Sequence, residues 1–169
     1  AYFEHQDSTQ QLDNWFICEH ANTRLSVRGF FSAYARGEVT VEGITFETFT
    51  EQLIDFIRNM HWRGVYFRDL SGGNVLVRVE EGGDITFSLI DTARARFANQ
   101  RFSRSKRIAD LKRLVIKLDP ERQAYVMRAY LKRERAQFTG WHRFTFRLYA
   151  LKASLKRMKR KMRKRLSSK

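Results

Sequence analysis

The chain has 169 residues, 43% hydrophobic and 14% aromatic, which is enough for one substantial core and too little for two. No apolar run approaches the roughly 20 residues needed to cross a bilayer as a helix, and the single cysteine, Cys18, rules out an internal disulfide framework and a cysteine-based zinc site. The net charge of +15 is unevenly spread: 24 of the 33 Lys and Arg stand beyond residue 100 against four of the 18 acids, and every basic residue before Lys106 is an arginine.

In chain order, Leu12 to His20 reads as a buried strand after a polar turn at Asp7 to Gln11. Arg24 to Arg36 predicts a short helix and Gly37 to Gly43 a loop. Phe46, Phe49, Leu53, Ile54, Phe56, Ile57 and Met60 then recur at three- and four-residue spacing, which predicts an amphipathic helix from Thr45 to Arg63 with Gly64 as its terminator. Its cap is either Thr48, with Glu51 completing a capping box, or Thr45. Asn74 to Glu80 and Asp84 to Asp91 are β-branched runs joined by Glu-Glu-Gly-Gly, a hairpin signal. The arginine-rich stretch Ala93 to Arg107 has no apolar period and reads as a loop. Helices are expected at Ile108 to Leu118, at Glu121 to Arg135 behind Pro120, and from Trp141 to the basic end.

The chemistry concentrates at Arg68-Asp69-Leu70-Ser71-Gly72-Gly73-Asn74, between the long helix and the hairpin, and at Leu89-Ile90-Asp91 where the hairpin ends. One carboxylate, an amide five residues later and a second carboxylate beyond the hairpin can converge at one end of two paired strands. Phosphoryl transfer needs such a set: a carboxylate to orient the attacking hydroxyl and accept its proton, and oxygen ligands for Mg²⁺ bridging nucleotide phosphates. The spacing D-x-x-x-x-N, a hairpin, then D resembles the catalytic loop and metal-binding segment of protein-kinase-like enzymes.

His61-Trp62-Arg63-Gly64-Val65-Tyr66-Phe67-Arg68-Asp69 further resembles the H-x-x-G-[V/I]-x-H-x-D signature of bacterial lipopolysaccharide core kinases, the heptose and Kdo kinase (WaaP/InaA-like) family. Leu89 to Ala95 is similar to that family's L-I-D-x-x-R-A segment, Arg107 to Leu114 to its R-x-x-D-L-x-x-L helix, and Arg128-Ala129-Tyr130-Leu131 to a later helix. The resemblance implies an α+β fold: a protein-kinase-like C-lobe, mainly helical with a small catalytic hairpin, plus the last strands of an N-lobe. It implies ATP and Mg²⁺ as cofactors and a sugar hydroxyl of heptose or Kdo as acceptor. Carried over by position, Asp69 is the catalytic base, with Arg68 beside it as the more structural arginine of the catalytic loop. Asn74 and Asp91 are the metal ligands. Trp15 to Cys18 is then the last N-lobe strand, with Cys18 behind the adenine, and the hinge backbone of Glu19 to Ala21 meets the adenine edge. The expected units are 1–22, the end of the N-lobe and the hinge; 23–140, the C-lobe; and 141–169, a basic amphipathic helix.

Two positions depart from the pattern: Phe67 stands in place of the catalytic-loop histidine, and Thr92-Ala93 in place of the Phe-Gly of protein kinases. In the resembled fold these positions pack on each other, so an aromatic facing a small residue reads as a compensated exchange. Neither a strand lysine nor a glycine-rich loop occurs before Lys106, so the expectation is a chain that starts late in the N-lobe, inactive by itself. A kinase-like remnant that binds membrane, lipopolysaccharide or nucleic acid without catalysis stays open as an alternative, as does a protein or small-molecule kinase.

Asp110 reads as a structural hydrogen-bonder that holds the catalytic-loop backbone, and His61 as a packed neighbour of that loop. Four scattered histidines make a His-based metal site improbable. Cys18 reads as a small buried hydrophobe, fitting a reducing cytosol, and Trp62 with the Phe46 to Phe56 aromatics as core. In the last segment Leu148, Leu151, Leu155, Met158, Met162 and Leu166 form a stripe among cations. That pattern favours the anionic face of an inner membrane, or the lipid A-core acceptor itself, over nucleic acid, because phosphate binding alone has no use for the stripe. The expected location is cytoplasmic and peripheral on the inner membrane.

Overall fold

The computed structural model describes residues 2–6, 12–16, 23 and 25–166. The first two segments are strands β1 (Tyr2–Gln6) and β2 (Leu12–Phe16), paired antiparallel with Tyr2 opposite Phe16 and Gln6 opposite Leu12. The predicted turn at Asp7 to Gln11 and the hinge residues Cys18, Glu19 and Ala21 lie outside the described residues.

Helix α1 (Val27–Ala35) begins later than Arg24 because the residues before it are engaged elsewhere. Thr23 Oγ1 donates to the carbonyl of Val77 at 2.5 Å, the Val77 N–H donates to Leu25 at 3.1 Å, and Ser26 bridges Leu76. The segment thus runs beside β6 (Val75–Val79) through a single antiparallel bridge before Ser26 caps the helix through the Gly29 N–H. The predicted loop at Gly37 to Gly43 contains a small hairpin, β3 (Thr40–Val41) with β4 (Ile44–Thr45). Its two-residue turn has positive φ at both Glu42 and Gly43, the combination that matches strand twist in tight hairpins.

Helix α2 (Phe46–Trp62) is capped by Thr45, whose side chain accepts from the Thr48 N–H at 3.2 Å. Of the two cap assignments Thr45 is therefore realised, and Glu51 is free to pair with Arg133 instead. The helix ends at Gly64, whose φ of +73° and close approach to Ala98 suit only glycine: a Cβ there would lie 1.9 Å from the Ala98 carbonyl oxygen. That approach aligns β5 (Val65–Tyr66) with β8 (Arg96–Phe97). The longer hairpin follows the sequence reading, β6 paired with β7 (Ile85–Leu89) and Val75 opposite Leu89.

Helix α3 (Arg104–Val115) starts a turn before the predicted Ile108. Arg107 explains the miss: a guanidinium with 3% of its side chain exposed, paired inside the protein with Glu134, contributes to packing without contributing to an apolar period. Helix α4 (Pro120–Arg133) is capped by Asp119, whose Oδ1 accepts from Glu121 and Arg122, and α5 runs from Gly140 to Leu166. Among the described residues no helix is long and apolar enough to cross a membrane.

One aromatic cluster joins α1, α2 and the hairpin. Phe30 stacks on Phe49 at 4.3 Å, Phe31 and Tyr34 pack around them, and Phe87 meets Phe49 edge-on at 5.8 Å. Phe49, Leu53, Ile54 and Ile57 are fully buried, so truncating Phe49 to alanine would remove about 3–5 kcal/mol from the face on which the hairpin rests. Trp62 corrects the expectation of a core residue. It is 54% exposed, lies between the guanidiniums of Arg58 and Arg101 at 4.7 Å each, and donates from Nε1 to Glu134. On α5, Phe146 is buried against the body, while Trp141, Phe144, Leu148, Leu151, Leu155, Met158 and Met162 are exposed at alternating three- and four-residue intervals.

Candidate active site

The loop between β5 and β6 is fixed from below by α3. Asp110 is fully buried, and its two carboxylate oxygens accept from the backbone N–H groups of Phe67 at 2.9 Å and Arg68 at 3.0 Å. Those bonds hold Arg68 at φ +67°, a left-handed conformation that costs a non-glycine residue about 1–2 kcal/mol. Asp110 is thus the structural hydrogen-bonder that the sequence suggests.

A second layer of polar groups supports Asp110. Arg107 donates from Nη1 to the Tyr130 hydroxyl at 3.2 Å, and that hydroxyl shares a hydrogen bond with Nδ1 of His61 at 2.8 Å. The other ring nitrogen, Nε2, faces Asp110 Oδ2 at 3.6 Å, beyond hydrogen-bond reach. Arg107 also donates to Glu134, which accepts from Trp62 as well. Burial works against the Glu134 charge, but the bonds from Arg107 and Trp62 outweigh it and hold the carboxyl below its ordinary value. Burial pushes the Tyr130 phenol up to about 12, so it stays neutral between Arg107 and His61.

Above this floor the predicted residues converge. Asn74 Nδ2 donates to the Asp69 carbonyl at 3.0 Å, closing the loop across five residues. The Ile90 N–H donates to the Asn74 carbonyl at 3.0 Å, extending the β6–β7 ladder by one step and setting Asp91 just beyond Asn74. Asp91, at φ +57°, opens a 3-10 turn over Thr92–Arg94. That turn returns Arg94 to the loop, where its Nη1 donates to Asp69 Oδ2 at 2.7 Å. Arg94 is the residue that site reasoning from the sequence missed; its signal was the three-residue step from Asp91, one full 3-10 turn. Arg68 makes no ion pair among the described residues, so its contribution here is its backbone. Phe67 is 1% exposed within the core, whereas Thr92 and Ala93 are exposed, so the burial of Phe67 comes from the helices beneath it and not from an exchange with Ala93.

The glycines of the loop serve the contact with α1. The Arg28 N–H donates to the Gly72 carbonyl at 2.8 Å; a Cβ on Gly72 would sit 2.9 Å from that nitrogen, and one on Gly73 would sit 2.4 Å from the Arg28 guanidinium.

The donor set suits a hard, incompletely caged cation. With Nδ2 of Asn74 committed to Asp69, its Oδ1 is left for a ligand, and Asp91 makes no ion pair among the described residues. No three His, Cys, Asp or Glu side chains gather as a metal cage among the described residues. One carboxylate and one amide oxygen fit Mg²⁺, which keeps waters and takes its other ligands from phosphate.

Comparison with known proteins identifies the family and the fold. The sequence model of the lipopolysaccharide kinase (Kdo/WaaP) family matches residues 32–139, a span that includes the loop, the hairpin and the helix carrying Asp110. The chain belongs to that family. Among solved structures, WaaP in complex with acyl carrier protein is similar at a TM-score of 0.62 and 20% identity over 89% of this chain, a likeness of fold, and the fold is protein-kinase-like. The chain spans 66% of that WaaP chain. No curated protein matches. Within a Kdo/WaaP kinase fold, α2, the loop, the hairpin and α3 stand where the sequence expected a C-lobe. Asp69, Asn74 and Asp91 meet at one end of the hairpin; Glu19 and Ala21 lie outside the described residues.

Proposed function

We propose that the full protein transfers the γ-phosphoryl group of ATP to a sugar hydroxyl, heptose or Kdo, of the lipopolysaccharide inner core. The observation that carries this reading is the convergence of Asp69, Asn74 and Asp91 on a floor built by Asp110, in a chain of the Kdo/WaaP family. Asp69 orients the acceptor hydroxyl and takes its proton as the oxygen attacks phosphorus. Arg94, on the carboxylate's Oδ2, fixes the rotamer of Asp69 and leaves Oδ1 for the hydroxyl. Asn74 and Asp91 hold Mg²⁺, which when bound neutralises charge on the nucleotide phosphates. The family resemblance assigns the adenine contact to Glu19 and Ala21, which lie outside the described residues.

The acceptor is amphiphilic, and α5 suits the surface that carries it. Its exposed Leu151, Leu155, Met158 and Met162 stripe, rimmed by Lys152 and Lys159, lies in the headgroup region of an anionic inner-membrane leaflet on the cytoplasmic side. Residues 151–169 removed, the protein should lose sedimentation with phosphatidylglycerol vesicles; retained sedimentation, or greater loss of oligonucleotide than of vesicle binding, refutes this role.

The activity is tested with Asp69→Ala in the full protein. Transfer of labelled phosphate to core oligosaccharide should fall by at least a factor of 10³, with the fold intact by circular dichroism. Unchanged transfer removes Asp69 from the role of base.

A further inference from the structure

Beside the catalytic loop, between α1 and α3, lies a cavity of about 350 Å³ that the phosphoryl-transfer chemistry leaves unused. Four cations line it, Arg28 and Arg36 from α1, Arg113 from α3 and Lys117 just beyond it, and no carboxylate does. Ser71 and Gly72 of the loop form its rim toward Asp69, and the Ser71 N–H donates to the Asp69 carbonyl at 2.6 Å, so rim and base belong to one tight turn. Phe31 and Leu114, 4% and 3% exposed, give it an apolar wall.

Three of the four cations are free of buried partners. Arg28 and Lys117 make no ion pair among the described residues. Among those residues Arg36 pairs with Glu38 alone, at 2.7 Å between two exposed side chains, a pairing that an incoming dianion displaces at little cost. Arg113 is turned inward, toward Asp110 at 3.4 Å and Tyr66, with a third of its side chain open. Positive charge around a concave, largely apolar site selects an anion attached to a ring: the cationic heads at its edge take phosphate or carboxylate oxygens, and the apolar lining takes the CH face of a pyranose.

We propose that this cavity seats an anionic group, phosphate or carboxylate, borne by the sugar acceptor, and so positions the hydroxyl that Asp69 addresses. The proposal rests on the kinase reading above and names a specificity site for its acceptor. Arg36 and Lys117 are positioning residues, outside the transfer chemistry.

The test uses the full protein and deacylated core oligosaccharide in three preparations: intact, dephosphorylated, and carboxyl-reduced. By calorimetry without nucleotide, the intact glycan should bind at least tenfold more tightly than one of the neutralised forms, and whichever form loses affinity names the anion. The double variant Arg36→Gln/Lys117→Gln, altered at two exposed positions, should abolish that preference and raise the acceptor KM about tenfold, with kcat and the KM for ATP changing less than twofold. Lys152→Gln/Lys159→Gln on α5 should keep the preference. Equal binding of all three glycans, a preference that survives in the cavity variant, or one lost in the α5 variant overturns the proposal. Failure of the kinase reading looks different: a protein that discriminates among the glycans yet transfers no phosphate keeps the cavity and discards the activity.

Discussion

Asp110→Asn isolates the floor of the site. The carboxylate is fully buried and accepts two backbone N–H bonds, at 2.9 and 3.0 Å, on separate oxygens. An amide retains one acceptor and turns an NH₂ group toward the other N–H. The substitution removes one charge-assisted bond, worth about 1.5–3 kcal/mol, and strands a buried donor at a cost of about 1–3 kcal/mol. A total near 4 kcal/mol is a large fraction of the ~5–15 kcal/mol that holds a domain together, and at an m-value of about 2 kcal/mol/M it moves the urea midpoint down by about 2 M. Urea titration by circular dichroism reads the total. Amide hydrogen exchange reads its location, because protection should drop first at Phe67 and Arg68, where release of the left-handed strain at Arg68 favours opening. A loss below about 1 kcal/mol, or unchanged protection at those two amides, refutes the claim that Asp110 holds the loop.

Other outcomes follow from the same structure. Gly64→Ala should cost about 3 kcal/mol, since its Cβ meets the Ala98 carbonyl at a positive φ, whereas Gly82→Ala in the open hairpin turn carries only the backbone strain of about 1 kcal/mol; thermal unfolding of the pair separates contact from conformation. Glu134 is held below the ordinary 4.5 of a glutamate, so the stability it supplies is complete above that pH and is lost as the pH falls through its lower folded value. Glu134→Gln should therefore be less stable at neutral pH and show a shallower loss of stability below pH 4.5; parallel acid profiles for both proteins contradict this.

The elements that sequence alone located are those whose signal is periodic or local. The apolar repeat of α2, the glycine-rich hairpin turn and the Asp-Asn-Asp spacing all survive in three dimensions because each depends on neighbours in the chain. Asp110 was legible too, through its place in a helix resembling that of core kinases. What escaped was tertiary. The start of α3 was misplaced because Arg107 is buried through Glu134, 27 residues away; Trp62 was assigned to the core although two arginines hold it at the surface; and the contact of Arg94 with Asp69 requires a 3-10 turn that no apolar pattern announces. The cation-lined cavity is assembled from α1, the loop and α3, three segments whose proximity no sequence window contains.

The buried polar layer of Arg107, Tyr130 and His61 beside Asp110 has a thermodynamic consequence for the loop between β5 and β6. Fixing a residue's backbone costs about 1–2 kcal/mol of entropy, and a loop ordered by its ligand subtracts that sum from affinity. Here the loop is ordered by groups whose own positions are set by the packing of α2, α3 and α4, so the loss is incurred once, at folding. On the kinase reading proposed above, acceptor and nucleotide would meet a loop already in place, leaving their binding energy for alignment of the reacting atoms.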